Sequence, residues 1–337
     1  MKRARHINIP VFIPHMGCPH ACVFCNQKRI SGTLTFQTPE RVEKILEESF
    51  STINGKDDVE IAFFGGSFTG IPEKEMITYL ELAQPYINNG KASGIRLSTR
   101  PDTITPHILK ILNKYGVKVI ELGVQSMDYE VLIKSQRGHS VEDVLQACSL
   151  IKESGISLGI QTMLGLPEDS YEKALKTANC VVKLNPDMIR IYPALVLKDT
   201  MLEELYLSGQ FQPLNLEQAV EWCADILPIY READITVLRI GLQDTDTLEG
   251  SIVAGPYHPA FGELVESRIL YRKMTACLDN IYVGNCKKIN IRTSQQLVSK
   301  VIGQKRINIK AIKERYSLNE VAVRTDLENG EFIIEVE

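Results

Sequence analysis

Three cysteines within eight positions, Cys18, Cys22 and Cys25, are the residues of this chain best suited by type and spacing to do chemistry. They stand in Gly17-Cys18-Pro19-His20-Ala21-Cys22-Val23-Phe24-Cys25-Asn26. Thiolates are the ligands iron–sulfur clusters require, and closely spaced cysteines on one loop can wrap a single cube. Three local thiolates leave one iron without a protein ligand, open to a small molecule as an open zinc position is open to water. Spacing alone keeps two alternatives: an electron-transfer cluster completed by a distant cysteine, or a zinc site with His15 or His20 as fourth ligand. Cys148, Cys180 and Cys223 fall in apolar-periodic stretches and read as small core residues, while Cys277 and Cys286 show no ligand spacing.

Weaker signals follow downstream. Gly65 and Gly66, in Phe63-Phe64-Gly65-Gly66-Ser67-Phe68, let a backbone approach a ligand closely, although a plain tight turn explains them equally. Ser98 and Arg100 offer a hydroxyl and a guanidinium to a ribose or a carboxylate; the bland reading is a surface arginine beside a helix cap at Asp102. Glu121, Gly123 and Gln125 share one face of a strand, where the two polar side chains are costly unless partnered. Arg137, in Arg137-Gly138-His139, suits a carboxylate or is simply solvated. Gln161 and Met163 share a strand face, and Tyr192, Lys198, Arg239, Gly241 and Gln243 follow near later strand ends.

The elements that must position these residues alternate from residue 7 to 241. Strand-like runs are expected at Ile7–Phe12, Val59–Phe64, Gly94–Ser98, Val117–Val124, Ser157–Leu164, Met188–Tyr192 and Thr236–Ile240, apolar on both faces as buried parallel strands are. Helical patterns lie between them, among them Pro39–Phe50, Glu73–Tyr86, Val141–Glu153, Ser170–Lys183 and Leu216–Glu232. The repetition predicts an α/β fold, a partial (β/α)6-type TIM-like barrel, in a domain over residues 1–255. The cysteine loop follows the first strand and so belongs at the C-terminal face, where barrel active sites form. A small C-terminal α+β extension is expected over 256–337, with a helix from Phe261 to about Leu278, a strand near 281–291, helices near 293–316, and strands near 319–324 and 331–336.

Composition sets the outer limits. A net charge of −4 argues against a protein that coats nucleic acid throughout. No apolar run reaches membrane-spanning length. The N-terminus is basic, but its apolar run is short, carries two prolines and has no small-residue cleavage site, so a secretory signal is not expected and the compartment expected is the cytoplasm. A disulfide framework is likewise not expected.

Cys-x-x-x-Cys-x-x-Cys with an aromatic, Phe24, before the last cysteine resembles the radical S-adenosylmethionine superfamily. The strings FFGGSF, STRPD, ELGVQS with the downstream RGH, MLGLPED, IYPALVLKDT, LRIGLQ and AGPYHPAFGELV together resemble its elongator catalytic-subunit family, tRNA uridine-modifying proteins, from about residue 7 to 265. Oxygen-independent coproporphyrinogen oxidases share the layout but fit the later strings poorly.

The resemblance implies a transferase-type radical enzyme. Cys18, Cys22 and Cys25 would hold a 4Fe–4S cluster, and S-adenosylmethionine, bound at the open iron, would be cleaved to a 5′-deoxyadenosyl radical. The cofactor-binding residues implied are Phe24, Gly65, Gly66, Ser67 (where the superfamily's GGE-type loop has an acid), Ser98, Arg100, Gln125, Arg137, Gln161 and Met163. A reductant such as ferredoxin or flavodoxin is implied, and tRNA as partner. About 80 residues follow Gly255, fewer than an acetyltransferase domain of typical size needs, so the family's acetyl-CoA handling is not expected here. Radical chemistry on a small molecule or peptide, and a non-catalytic iron–sulfur or zinc protein, are the competing readings. Residues 281–316 hold nine Lys or Arg against the single acid Glu314, and Lys2, Arg3 and Arg5 add a basic N-terminus; these are the stretches expected to meet tRNA phosphates, with a solvated face as the alternative. Aromatics are sparse there (Tyr282, Tyr316), so base stacking is not indicated.

Overall fold

A computed structural model describes residues 5–13, 18, 21–26, 37–53, 57–242, 246–281, 286–328 and 332–336. Gly17, His15, His20, Gln243, Tyr282, Lys2 and Arg3 lie outside these residues. The chain divides into two compact units, Met1–Asn215 with Pro228–Tyr257, and Leu216–Leu227 with His258–Glu337.

The first unit is built on seven strands: β1 (His6–Ile13), β2 (Asp58–Gly65), β3 (Gly94–Thr99), β4 (Val117–Gln125), β5 (Ser157–Leu164), β6 (Met188–Pro193) and, after a short β7 (Val196–Leu197), β8 (Thr236–Ile240). They pair in parallel in the order β1-β2-β3-β4-β5-β6-β8, a curled partial barrel with one strand more than a six-fold one. Sequence neighbours become sheet neighbours because each connection carries a helix, as right-handed parallel crossovers require. The helices start where capping chemistry allows. Thr38 accepts from the Arg41 amide with Pro39 in the first turn, and Ser140 and Asp143 form a reciprocal capping box. Gly116 and Gly155, both at φ +76°, turn the chain from helix into strand.

The concave face of the sheet carries an ion-pair chain rather than an apolar core. Arg96 on β3 donates to Glu60 on β2 (2.8 Å) and to Glu121 on β4 (2.9 Å). Arg190 on β6 donates to both oxygens of Glu121, 2.6 and 3.2 Å away. His6 on β1 lies 3.3 Å from Glu60. Glu121 and Arg190 meet across the intervening β5 because Gly159 stands between them: a Cβ there would fall 2.9 Å from the Glu121 side chain and 3.1 Å from Met188. Glu121 is therefore inside the barrel, as its alternation with Gly123 and Gln125 predicts, and both its oxygens are used.

The short β7 pairs antiparallel with β9 (Ile252–Ala254), a two-stranded element the apolar pattern did not indicate. In the second unit β10 (Lys288–Thr293) is central, parallel to β11 (Glu320–Arg324) and antiparallel to β12 (Phe332–Val336). Leu270, Met274 and Leu278 of helix Phe261–Asn280 pack with Ile289, Ile291, Val301, Ile309 and Ile312 into its core. Arg268 and Arg272 pair with Glu217, Glu221 and Asp225, tying that helix to Leu216–Leu227.

Candidate active site

The loop after β1 is held at its middle. Val23 is fully buried; its amide donates to the Ser135 carbonyl (3.2 Å), and its carbonyl accepts from the Leu202 amide (2.8 Å). Around it pack Val196, Leu202 and Phe211. Phe24 lies against that cluster and against Val131, Leu166, Ala194 and Met163. The Asn26 amide donates to the carbonyls of Lys198 (3.1 Å) and Asp199 (3.4 Å). The stretch 194–202, far along the sequence, thus forms the wall that seats the cysteine loop. The Cys25 amide donates to the Cys22 carbonyl (3.0 Å), a tight turn that keeps the last two thiols close in sequence and space.

Cys18, Cys22 and Cys25 are each half-buried, and none of the eight cysteines is in a disulfide. Among the described residues no three metal-ligating side chains converge on one point.

Two guanidiniums stand over Cys22. Arg137 Nη1 donates to its Sγ (3.0 Å), and Arg100 Nη1 lies 4.0 Å away. Arg100 is neutralised by Asp102 (3.0 and 3.3 Å) and also donates to the Arg137 carbonyl. Arg137 has no carboxylate partner among the described residues. Its Nη2 donates to the Gly123 carbonyl, its guanidinium lies 5.9 Å from the Phe24 ring centroid, and its buried Nε has no partner. A cation 6% exposed is costly unless an anion answers it, and Cys22 is the group placed to do so.

His139 lies beside this pair. Neither ring nitrogen has a hydrogen-bond partner; the Val124 backbone faces the ring outside hydrogen-bond geometry. Burial first, then the Arg137 and Arg100 charges, push its pKa down to about 3, so the ring is neutral at working pH. The unfolded chain protonates near 6.5 and the folded chain only near 3, so acid favours unfolding. Stability is expected to fall by about 1.4 kcal/mol per pH unit from 6.5 towards 3 on this account. Urea unfolding at pH 7 and pH 5 measures it, and His139→Gln should flatten that slope; an unchanged slope would show that another group carries it.

The strand ends hold the remaining candidates in two groups. Ser98, Gly123, Gln161 and Met163 lie half-buried along the concave face, tied by the pairings of Ser98 with Glu121 and of Gly123 with Gln161. The Gln161 amide donates to Gln125 Oε1 (3.3 Å), and Gln125 is held at φ +67°, a conformation L side chains rarely adopt. A Cβ on Gly123 would come within 3.0 Å of the Gln125 amide and 3.3 Å of Arg137. Gly65 and Ser67 belong elsewhere. Gly65, at φ +110°, crosses the end of β1 so tightly that a Cβ would meet the Ile13 carbonyl oxygen at 2.9 Å, and the Gly66 amide donates to that oxygen (3.1 Å). The close approach at this turn is to backbone. The Ser67 hydroxyl is buried against Thr99 (2.8 Å) in a cluster with Thr69 and Thr103. Arg96, Arg190 and Glu60 did not stand out in the sequence; their signal was a charged residue inside an otherwise apolar strand.

The Radical SAM superfamily model matches residues 12–181, and the Radical_SAM C-terminal domain model matches residues 186–270. An uncharacterized protein of Methanocaldococcus jannaschii is 31% identical over 234 residues, 65% of this chain and 70% of its own length. The tRNA uridine(34) acetyltransferase of Methanocaldococcus infernus is 31% identical over 241 residues, 62% of this chain and 44% of that protein, so this chain spans less than half of it. In fold, the chain is similar to the archaeal Elp3 of Methanocaldococcus infernus, with a TM-score of 0.64 and 24% identity, covering 81% of this chain and 63% of that one.

Proposed function

Because the chain belongs to the radical S-adenosylmethionine superfamily, we propose that Cys18, Cys22 and Cys25 hold a 4Fe–4S cluster with one open iron, and that the enzyme acts on a uridine of tRNA. The observation that carries the site is the buried Arg137 guanidinium, which has no carboxylate partner among the described residues and donates to Cys22 Sγ at 3.0 Å. A thiolate charge there answers a cation that is otherwise uncompensated, and three thiolates on one loop are the donor set a cluster takes. When bound, the cluster and S-adenosylmethionine supply a 5′-deoxyadenosyl radical able to abstract hydrogen.

The chain's own residues then bind and orient. Phe24 and Met163 give the apolar wall that keeps water from the loop. Ser98, Gln125 and Gln161 present polar groups along the concave face towards the cofactor's sugar and amino-acid parts. Gly65 and Gly66 bring the ends of β1 and β2 together beneath the loop. Arg100 and Arg137 position Cys22, so their contact with the cofactor runs through the thiolate. An external one-electron donor of the ferredoxin or flavodoxin type is required.

The tRNA reading is supported by the relative named tRNA uridine(34) acetyltransferase. No helix among the described residues is long and apolar enough to cross a membrane. The test is a comparison of modified tRNA nucleosides between a deletion strain and its parent. Loss of one modified uridine, restored by the wild-type chain and not by Cys22→Ala, is expected. Unchanged uridines would move the substrate to a small molecule or peptide.

A further inference from the structure

The second unit contains a preformed helix–turn–helix whose exposed cations the radical chemistry does not use. β10 leads into helix Val298–Ile302, the turn Gly303-Gln304-Lys305-Arg306, helix Ile307–Arg315 and then β11, which returns parallel to β10. The turn is rigidly built. Gly303 sits at φ +73°, and a Cβ there would meet Ile307 at 2.9 Å and Asn308 at 3.0 Å. Lys305 and Arg306 are both left-handed, at φ 52° and 61°. Buried Asn308 donates to the Lys300 and Val301 carbonyls (3.1 and 3.2 Å) and to the Ser267 hydroxyl (2.9 Å), pinning both ends of the turn. His258, whose Nδ1 accepts from the Ala260 amide, reaches Gln304 through Nε2 at 3.2 Å.

Four cations of this scaffold stand apart from the rest. Lys305, Arg306, Lys310 and Lys313 are exposed, and among the described residues none has a carboxylate partner, whereas Lys300 pairs with Glu263. Lys305 and Arg306 stand in the turn, and Lys310 and Lys313, three positions apart, lie on one side of the helix that follows. By contrast Arg292 and Arg315, from the same basic stretch, are neutralised by Asp326 with Glu335 and by Asp279. Ile309 and Ile312 on the inner side of the helix are buried in the core, while Ile307 at its start is exposed beside the turn.

We propose that the turn Gly303–Arg306 and the basic side of the helix it opens form a clamp for the sugar–phosphate backbone of single-stranded nucleic acid. A four-residue turn that opens on glycine between two helices resembles the GXXG loop by which KH modules clamp a few consecutive nucleotides. Arg306 takes the fourth position of the turn, glycine in those modules, and its left-handed backbone matches what glycine supplies there. Affinity comes from phosphates and is insensitive to base. The proposal deepens the RNA reading above, but it is measured without the radical reaction.

The test uses the full chain and labelled twelve-nucleotide oligo(U) and oligo(dT), followed by fluorescence anisotropy across a salt series. With about four phosphate contacts, log K should fall against log salt with a slope of about −3. Lys305→Glu with Arg306→Glu should weaken binding at least about tenfold and flatten the slope by about 1.4 units, with the circular dichroism unchanged. Lys310→Ala with Lys313→Ala, which leaves the turn intact, should flatten it similarly. Tighter binding of oligo(U) than oligo(dT) would identify RNA as the source of the phosphates. Equal affinity of wild type and both variants overturns the clamp, as does binding to phosphatidylserine vesicles that the same variants abolish. Loss of oligonucleotide binding with the cellular uridine pattern intact would leave the clamp standing and detach it from the tRNA reading.

Discussion

Changing Cys22 to alanine is expected to reduce iron in the anaerobically reconstituted chain from about four per chain to a small fraction of that, and S-adenosylmethionine cleavage by more than about a hundredfold. The expectation rests on a thiol with two guanidiniums over it, at 3.0 and 4.0 Å. Cysteine thiolates are the ligands a 4Fe–4S cluster takes. Cys148 is the contrast: burial in the helix Val141–Glu153 pushes its thiol up to about 12, so Cys148→Ala should leave iron unchanged. Arg137→Leu separates positioning from ligation. It keeps all three thiols but removes the charge, and should lower iron retention and shift the cluster's midpoint potential. An Arg137→Lys variant should recover part of both, since it restores charge without the fork that also holds the Gly123 carbonyl. Full iron and full cleavage in Cys22→Ala would refute the site.

Glu121→Ala is expected to be the most destabilising single change in the barrel, costing about 3–5 kcal/mol in urea unfolding of the full chain. One carboxylate answers the buried Arg96 at 2.9 Å and the half-buried Arg190 at 2.6 Å, from strands on either side of it. Removing it leaves Arg190 without its carboxylate and Arg96 with Glu60 alone, so that the desolvation already incurred is offset only in part. Burial opposes the charge on Arg190, yet its hydrogen bonds and attraction to Glu121 hold that guanidinium ionised well above the ordinary arginine range. Without Glu121 the guanidinium still cannot escape by losing a proton, because arginine stays charged in proteins. Glu121→Gln preserves the shape and should cost less than alanine but more than a surface change. A loss under about 1 kcal/mol for alanine would mean that water reaches the pair and screens it. The same chain of charges connects β1 to β6, so its failure should also blunt cofactor affinity at the strand ends above it.

Much of the architecture was legible because a parallel strand buried on both faces leaves an unmistakable apolar run. Ser157–Leu164 falls where the residues alone put it, and so does Thr236–Ile240 although it is not buried; the other barrel strands differ by a residue at an end, while the strand expected near 281–291 begins only at Lys288. The two-stranded pairing of β7 with β9 was not legible. Two or three residues carry no period, and their partners lie more than fifty positions apart. The C-terminal cations show the same limit from another side: nine in one stretch looked alike, and only their carboxylate neighbours sort Arg292 and Arg315 from Lys305 and Arg306.

The cysteine spacing was determined by sequence alone, because ligands on one short loop are close whatever the rest of the chain does. So were the glycines that end its strands, since conformational freedom is a property of the residue itself. What surrounds Cys22 was decided only by the tertiary structure. Arg100 comes from the end of β3 and Arg137 from the segment after the helix Tyr129–Lys134, and nothing in their local sequence separates a thiolate partner from a cofactor ligand or a solvated side chain. The wall that seats the loop, Val196 to Leu202, is later still in the chain. Local chemistry is set by neighbours in sequence; charge balance and burial are set by neighbours in space, and those exist only once the sheet has curled.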